Sequence, residues 1–294
     1  MYSAIAANKR NTVIIMIAFL LVIGGLGWLA GYAVDEGWSL TVMVLVIAAV
    51  YVGVEYFAAG RLALAMNGAR EIQRKDYPML WNTVENITIA EGLPMPKVYV
   101  IDDPSPNAFA TGRNPKHAAV AATTGLLEIM EKRELEAVMA HEMGHVKNYD
   151  ILVATIAFGL ASAISIICDI AWRVMIYGGR DSKGNAAVAT YVIGLVAIIL
   201  APIVAVMIQL AVSRQREYLA DATSAMTTRD SDGMIKALEK LRDHARPMQK
   251  QNTSTAHLFI ANPLKPKGFM SKLFSTHPPI EERIERLKKN AARM

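Results

Sequence analysis

Four long runs without a charged side chain, residues 11–34, 37–54, 151–168 and 185–212, constrain this chain more than any other feature. A helix needs about 20 mostly apolar residues to cross the hydrocarbon core of a bilayer, where water cannot satisfy stray backbone groups. The first and fourth runs are long enough outright. The second and third reach full length with Glu55 and Asp169 at interface depth, where Trp38 and Trp172 supply interfacial aromatics. With 53% hydrophobic and 19% charged residues among 294, and a mean hydropathy of +0.27, a wholly soluble chain is excluded.

The first run reads as a membrane segment, not a cleaved leader, because it exceeds the roughly 7–15 apolar residues of a leader and a second run follows the acidic turn Asp35-Glu36. Lys9 and Arg10 precede this hairpin and Arg61 follows it, which places both of its ends in the cytoplasm. Runs three and four repeat the pattern around a loop carrying Arg180, Asp181 and Lys183. From Ser213 onward there are 16 Lys+Arg against 9 Asp+Glu, a net of +7 that is drawn to anionic lipid and needs no nucleic acid to explain it. The expected layout is a membrane hairpin (1–60), a cytoplasmic part (61–150), a second hairpin (151–212) and a second cytoplasmic part (213–294). The lone Cys168 excludes an intrachain disulfide and a cysteine metal site, and suits a reducing compartment.

Within 61–150, residues 97–102 alternate as a short strand bounded by prolines, and 107–111 and 117–124 are two further strands around the turn Gly112-Arg113-Asn114-Pro115. The third strand is alanine-rich. It reads equally as a core strand or as an edge offered to an extended peptide, with Ala119, Ala121 and Asn107 as substrate-binding candidates.

Residues 141–145 read His-Glu-Met-Gly-His inside a helical pattern over 131–148, with Glu131, Glu134 and Glu136 in the first turns and Lys147 near the last. On a helix, positions i and i+4 share a face, so His141 and His145 can present both imidazoles to one ion with Glu142 beside them. The same five residues also arise by chance on a solvated helix face. Gly144 costs about 1 kcal/mol of helix propensity, which close packing beside a metal would explain. A hydrolytic zinc needs a third protein donor and an open position for water. Just after the fourth run, Glu217 can supply a carboxylate and Asp221, one turn on, can hold a ligand imidazole in orientation. Alternatively, Arg214, Arg216, Glu217 and Asp221 form ion pairs along a membrane-exit helix. Because a hairpin returns its ends to one face of the bilayer, the two helices emerge side by side.

In this combination the chain resembles the HtpX-type heat-shock proteases, zinc-dependent membrane endopeptidases related to the CAAX prenyl proteases. The likeness spans the whole chain and rests on both hairpins, on 107–112, 141–145 and 213–221, and on Ser275-Thr-His277-Pro-Pro279. It implies a mainly α, polytopic fold with four membrane helices and a gluzincin-like cytoplasmic α+β zinc-metalloprotease domain. It further implies one zinc on His141, His145 and Glu217, with Glu142 as base and His277 as oxyanion donor. The expected setting is the bacterial inner membrane, with termini and active site cytoplasmic. Misfolded membrane proteins are the expected substrates, with the bilayer and other membrane proteases as partners. The competing expectation is a non-proteolytic scaffold or transporter with a structural zinc. His117 and His244 read as surface residues and His257 as part of a polar linker. Asp169 and Arg173 read as an interfacial pair, Glu55 as interfacial or paired within the bundle, and 265–274 as a loop near lipid head groups or the cleft.

Overall fold

The computed structural model describes residues 2–33, 37–178, 213–250, 254–264 and 278–291. The described helices are α1 (Tyr2–Ala33), α2 (Gly37–Met66), α3 (Pro78–Glu91), α4 (Thr124–Ile129), α5 (Lys132–Lys147), α6 (Asp150–Gly178), α7 (Arg214–Thr228), α8 (Ser231–Asp243) and α9 (Ile280–Ala291). The described strands are β1 (Ala69–Glu71), β2 (Lys97–Ile101), β3 (Ala108–Gly112) and β4 (Ala118–Thr123). The chain divides into two compact units, one of Arg10–Ala59 with Ile156–Leu210, the other of Met1–Lys9, Gly60–Thr155 and Ala211–Met294.

Three described helices are long and apolar enough to cross a membrane, over Ala4–Leu29, Gly37–Met66 and Asp150–Asp169. The fourth expected span, 185–212, and the side chain of Trp172 lie outside the described residues. In the first unit α1 and α2 approach closely because glycines line the contact: a Cβ on Gly24 would sit 2.7 Å from Leu45, and one on Gly27 would sit 3.1 Å from Val44. Glu55 does not end α2; it is buried, and a Cβ on Gly159 would lie 2.3 Å from its Oε2. The bundle-interior alternative for Glu55 is the one observed. Tyr51 donates from its hydroxyl to the Gly159 carbonyl at 3.0 Å, and Asp169 pairs with Arg173 at 2.8 Å as the spacing predicts. Leu21, Trp38, Val50 and Phe57 are exposed, the surface that an apolar solvent would cover.

The second unit is built on a four-stranded mixed sheet in the order β1-β2-β4-β3. β2 runs parallel to β4, with Val98 opposite Val120; β1 and β3 flank them antiparallel. β4 is therefore central, and the edge alternative for the alanine-rich strand is overturned. Ala119 and Ala121 have paired neighbours on both sides, so no main-chain edge remains for a peptide there. The three expected strands form within a residue or so of their predicted ends, and Gly112 makes the turn between two of them at φ 132°, where a Cβ would meet the His117 carbonyl at 2.3 Å. β1, α3 and α4 went unread. β1 is three residues long, too short for a period, whereas α3 carries a signal in Pro78 at its start and in Leu80, Val84 and Ile87 at helical spacing.

α5 is the core element of this unit. Glu131 and Glu134 close a reciprocal capping box at its start, and Leu135, Val138 and Met139 are fully buried against residues such as Val84 of α3 and Leu238 of α8. Burying each such side chain contributes about 1.5–3 kcal/mol. Gly144 faces α7, where a Cβ would meet Thr223 at 3.6 Å, an ordinary contact. Its small size is therefore not required by crowding beside a metal. Asp230 caps α8 by accepting from the Gly233 N–H at 2.8 Å. α9 follows Pro278-Pro279 and turns Ile284 and Leu287 inward.

Candidate metal centre

One helical turn separates His141 from His145 on α5, and their Nε2 atoms lie 3.2 Å apart. α7 brings Glu217 against them, with its carboxylate oxygens 3.5 Å from His145 Nε2 and 3.7 Å from His141 Nε2. Ligand atoms of all three residues lie within 4.8 Å of one another. Tetrahedral zinc bonded at 2.0–2.1 Å spaces its donor atoms about 3.3 Å apart, so both the donor set and its spacing fit that ion. The outer imidazole nitrogens are committed elsewhere. His141 Nδ1 meets Asp221 at 2.9 Å and His145 Nδ1 meets Asp150 at 2.9 Å, which turns both Nε2 atoms toward Glu217.

Glu142 is 2% exposed and lines one pocket with Ala110, His141, His145, Glu217 and His257. Burial pushes its carboxyl up to about 7, Glu217 adding to the rise and His145, Arg283 and the Ala110 N–H opposing it. Burial alone would discharge His145, but its hydrogen bond to Asp150 and the charge of Glu217 raise it to about 9 in the metal-free protein. His141 is shifted the other way, because burial outweighs Asp221. Asp221 is held at about 2 despite its burial, through the charge and hydrogen bonds of Arg283.

Arg283 is the site residue that sequence reasoning missed most completely. It is fully buried, donates from Nε and Nη2 to Asp221 at 2.9 and 2.6 Å, and places Nη1 3.8 Å from Glu217. A signal existed: a lone arginine on the apolar stripe Ile280, Ile284 and Leu287 of α9. Asp150, five residues after His145, was likewise unread. The linker reading of His257 is corrected. The residue is 4% exposed, with Nε2 3.1 Å from the Ala154 carbonyl, because the chain around it packs inward and Phe259 stacks edge-on against Phe109. His117 and His244 are exposed, as expected.

Of the substrate-binding candidates, Asn107 hydrogen-bonds both the carbonyl and the N–H of Ala261, at 2.8 and 3.1 Å, and the Ile260 N–H donates to Ala108 at 2.9 Å. The chain's own residues thus lie along this part of β3. Ala119 and Ala121 are buried on central β4, while Ala110 of β3 lines the pocket. His277 and 265–274 lie outside the described residues.

Residues 75–291 match the profile of Peptidase family M48. The chain belongs to peptidase family M48. As an M48 member it is a metallopeptidase, and its apolar helices make it a membrane protein. It is 59% identical over 288 residues to a Protease HtpX homolog of Tropheryma whipplei (strain Twist), covering 98% of each chain. To a Protease HtpX homolog of Streptococcus gordonii it is 45% identical over 297 residues, covering 98% of this chain and 99% of the relative. The fold is similar to that in the crystal structure of S. mikatae Ste24p, with a TM-score of 0.52 at 17% identity, covering 95% of this chain and 66% of that one.

Proposed function

We propose that this M48 metallopeptidase is a zinc endopeptidase of the bacterial inner membrane that cuts misfolded or damaged membrane proteins at the cytoplasmic face. The observation that carries this reading is the meeting of His141, His145 and Glu217 around one point, with Glu142 buried beside them. In this reading the three residues hold one zinc. When bound, the ion supplies Lewis acidity to a water and to the scissile carbonyl. Glu142, buried beside the three ligands, takes the proton of the attacking water and delivers it to the departing amine. Asp221 and Asp150 keep the two imidazoles aimed, and Arg283 keeps Asp221 charged. His277 remains the proposed oxyanion donor.

The protease domain is assembled from 61–150 and 213–294, with 1–60 and 151–212 as hairpins and 185–212 as the fourth span. The charge pattern around the runs supports cytoplasmic termini and a cytoplasmic active site. Because Ala261 and Ile260 occupy the Asn107–Ala108 part of β3, substrate is read as approaching along Ala110 instead. Asn107 then acts by holding that segment.

The test is cleavage of an unfolded model protein by detergent-solubilised wild type and Glu142→Gln, each with zinc, with chelator and after zinc is restored. Wild type should regain activity with zinc. Glu142→Gln should bind one zinc and lose roughly 10²–10⁴-fold in rate. Two equally inert proteins that both bind zinc would instead favour a scaffold with a structural metal.

A further inference from the structure

The start of α1 reaches the candidate metal centre from about 140 residues upstream. Asn8 is buried, although the helix around it is turning apolar. Its Nδ2 donates to the Asn148 carbonyl at 2.9 Å and to Asp150 Oδ1 at 2.6 Å, while its Oδ1 accepts from Arg216 Nη1 at 2.9 Å. Two acceptors on one side and a guanidinium on the other fix which way the amide points. The other oxygen of the same Asp150 carboxylate meets His145 Nδ1 at 2.9 Å. The chain of contacts therefore runs from Asn8 through Asp150 to His145.

A second feature at the same place is independent of these hydrogen bonds. Tyr149, between the Asn148 and Asp150 that Asn8 holds, has φ 62°, a left-handed conformation that a bulky side chain rarely adopts. The neighbouring Lys9 sets its ammonium 4.6 Å from the centroid of the Tyr149 ring. Asn8 and Lys9 thus grip all three residues of the sharp junction between α5 and α6. That junction aims Asp150 back at the helix bearing His145.

We infer that Asn8 is a positioning residue for His145: acting through Asp150, with Lys9 steadying the strained turn, it fixes the orientation of one of the proposed zinc ligands. The inference rests on the zinc reading above. It assigns to the first turns of α1 a role in the site besides entering the membrane.

The test uses the full chain in detergent, with zinc alone as ligand and affinity measured by competition against a chelator. Loss of a partner of a ligand imidazole typically costs 10–100-fold in metal affinity, and Asn8 stands one contact further out. Asn8→Leu should therefore weaken zinc binding about three- to ten-fold, and Asn8→Asp, which keeps the size but cannot donate to Asp150, by at least as much. In an Asp150→Asn background, adding Asn8→Leu should cost less than about two-fold, because the path to His145 is already cut. The inference is overturned if Asn8→Leu and Asn8→Asp bind zinc like wild type, if the loss is equally large in the Asp150→Asn background, or if the variants only lower the melting temperature of the metal-free protein. A wild type that binds no zinc would remove the underlying zinc reading and this inference with it. A wild type that binds one zinc, with variants that match it, removes this inference alone.

Discussion

Replacing Arg283 with methionine takes away the charge on which Asp221 depends. The guanidinium is fully buried and meets Asp221 at 2.9 and 2.6 Å, and Asp221 is itself only 2% exposed. Removing one partner of a buried pair costs about 3–5 kcal/mol, because the other charge stays desolvated without compensation. That is a large part of the roughly 5–15 kcal/mol that holds a domain together. For a unit of this size it corresponds to a fall of roughly 6–20 °C in melting temperature. Asp221 escapes part of the penalty by taking a proton, since Arg283 is the main reason its pKa stays at about 2. A neutral Asp221 holds His141 less firmly, so zinc affinity should fall about 10–100-fold as well. The assay is thermal unfolding of chelator-treated protein in detergent, comparing wild type, Arg283→Met, and Arg283→Met with Asp221→Asn. The double variant should be more stable than the single one, because it buries no orphan charge. A shift below about 2 °C for Arg283→Met, or a double variant less stable than the single, would refute the buried-pair reasoning.

Other consequences can be checked with the same melts. Glu91 lies between Lys147 and Thr227; burial pushes its carboxyl up, but hydrogen bonds from both partners hold it below its ordinary 4.5. A depressed pKa means a contribution that is present above about 4.5 and is lost as pH falls through the folded value, so wild type and Glu91→Gln should differ near neutral pH and converge in acid. A gap that persists in acid contradicts this. Two glycines should respond with opposite signs. Gly125→Ala would put a Cβ 2.0 Å from the Pro104 carbonyl and should destabilise by about 1–3 kcal/mol, whereas Gly144→Ala, with its nearest neighbour at 3.6 Å, should be neutral or stabilising by up to about 1 kcal/mol. Melting curves that reversed this order would refute the crowding argument at Gly125.

Much of the architecture was legible because its signals are local. An uncharged run of about 20 residues has few alternatives in any context, and α1, α2 and α6 follow from three such runs. The meeting of His141 and His145 on one face follows from the i to i+4 geometry of a helix. What failed was pairing. Alternation marked the alanine-rich segment as a strand but could not say who its neighbours were, and β4 proved to be central. His257 was assigned to a linker by its polar surroundings in the chain, yet the fold packs that segment beside Phe109.

By itself, then, the sequence determined the apolar helices, the helix that carries two imidazoles and a carboxylate, and the presence of a polar helix bearing Glu217 about 72 positions on. Only the tertiary structure decided that Asp150, Arg283 and Asn8 stand behind those ligands. The reason is physical: periodicity reports which face of an element is buried, whereas the partner of a buried charge depends on which elements meet. Asn8 and Asp150 lie 142 residues apart, and Arg283 and Asp221 lie 62 apart. No local pattern encodes such distances, but desolvation makes each of these partners necessary once the elements have packed.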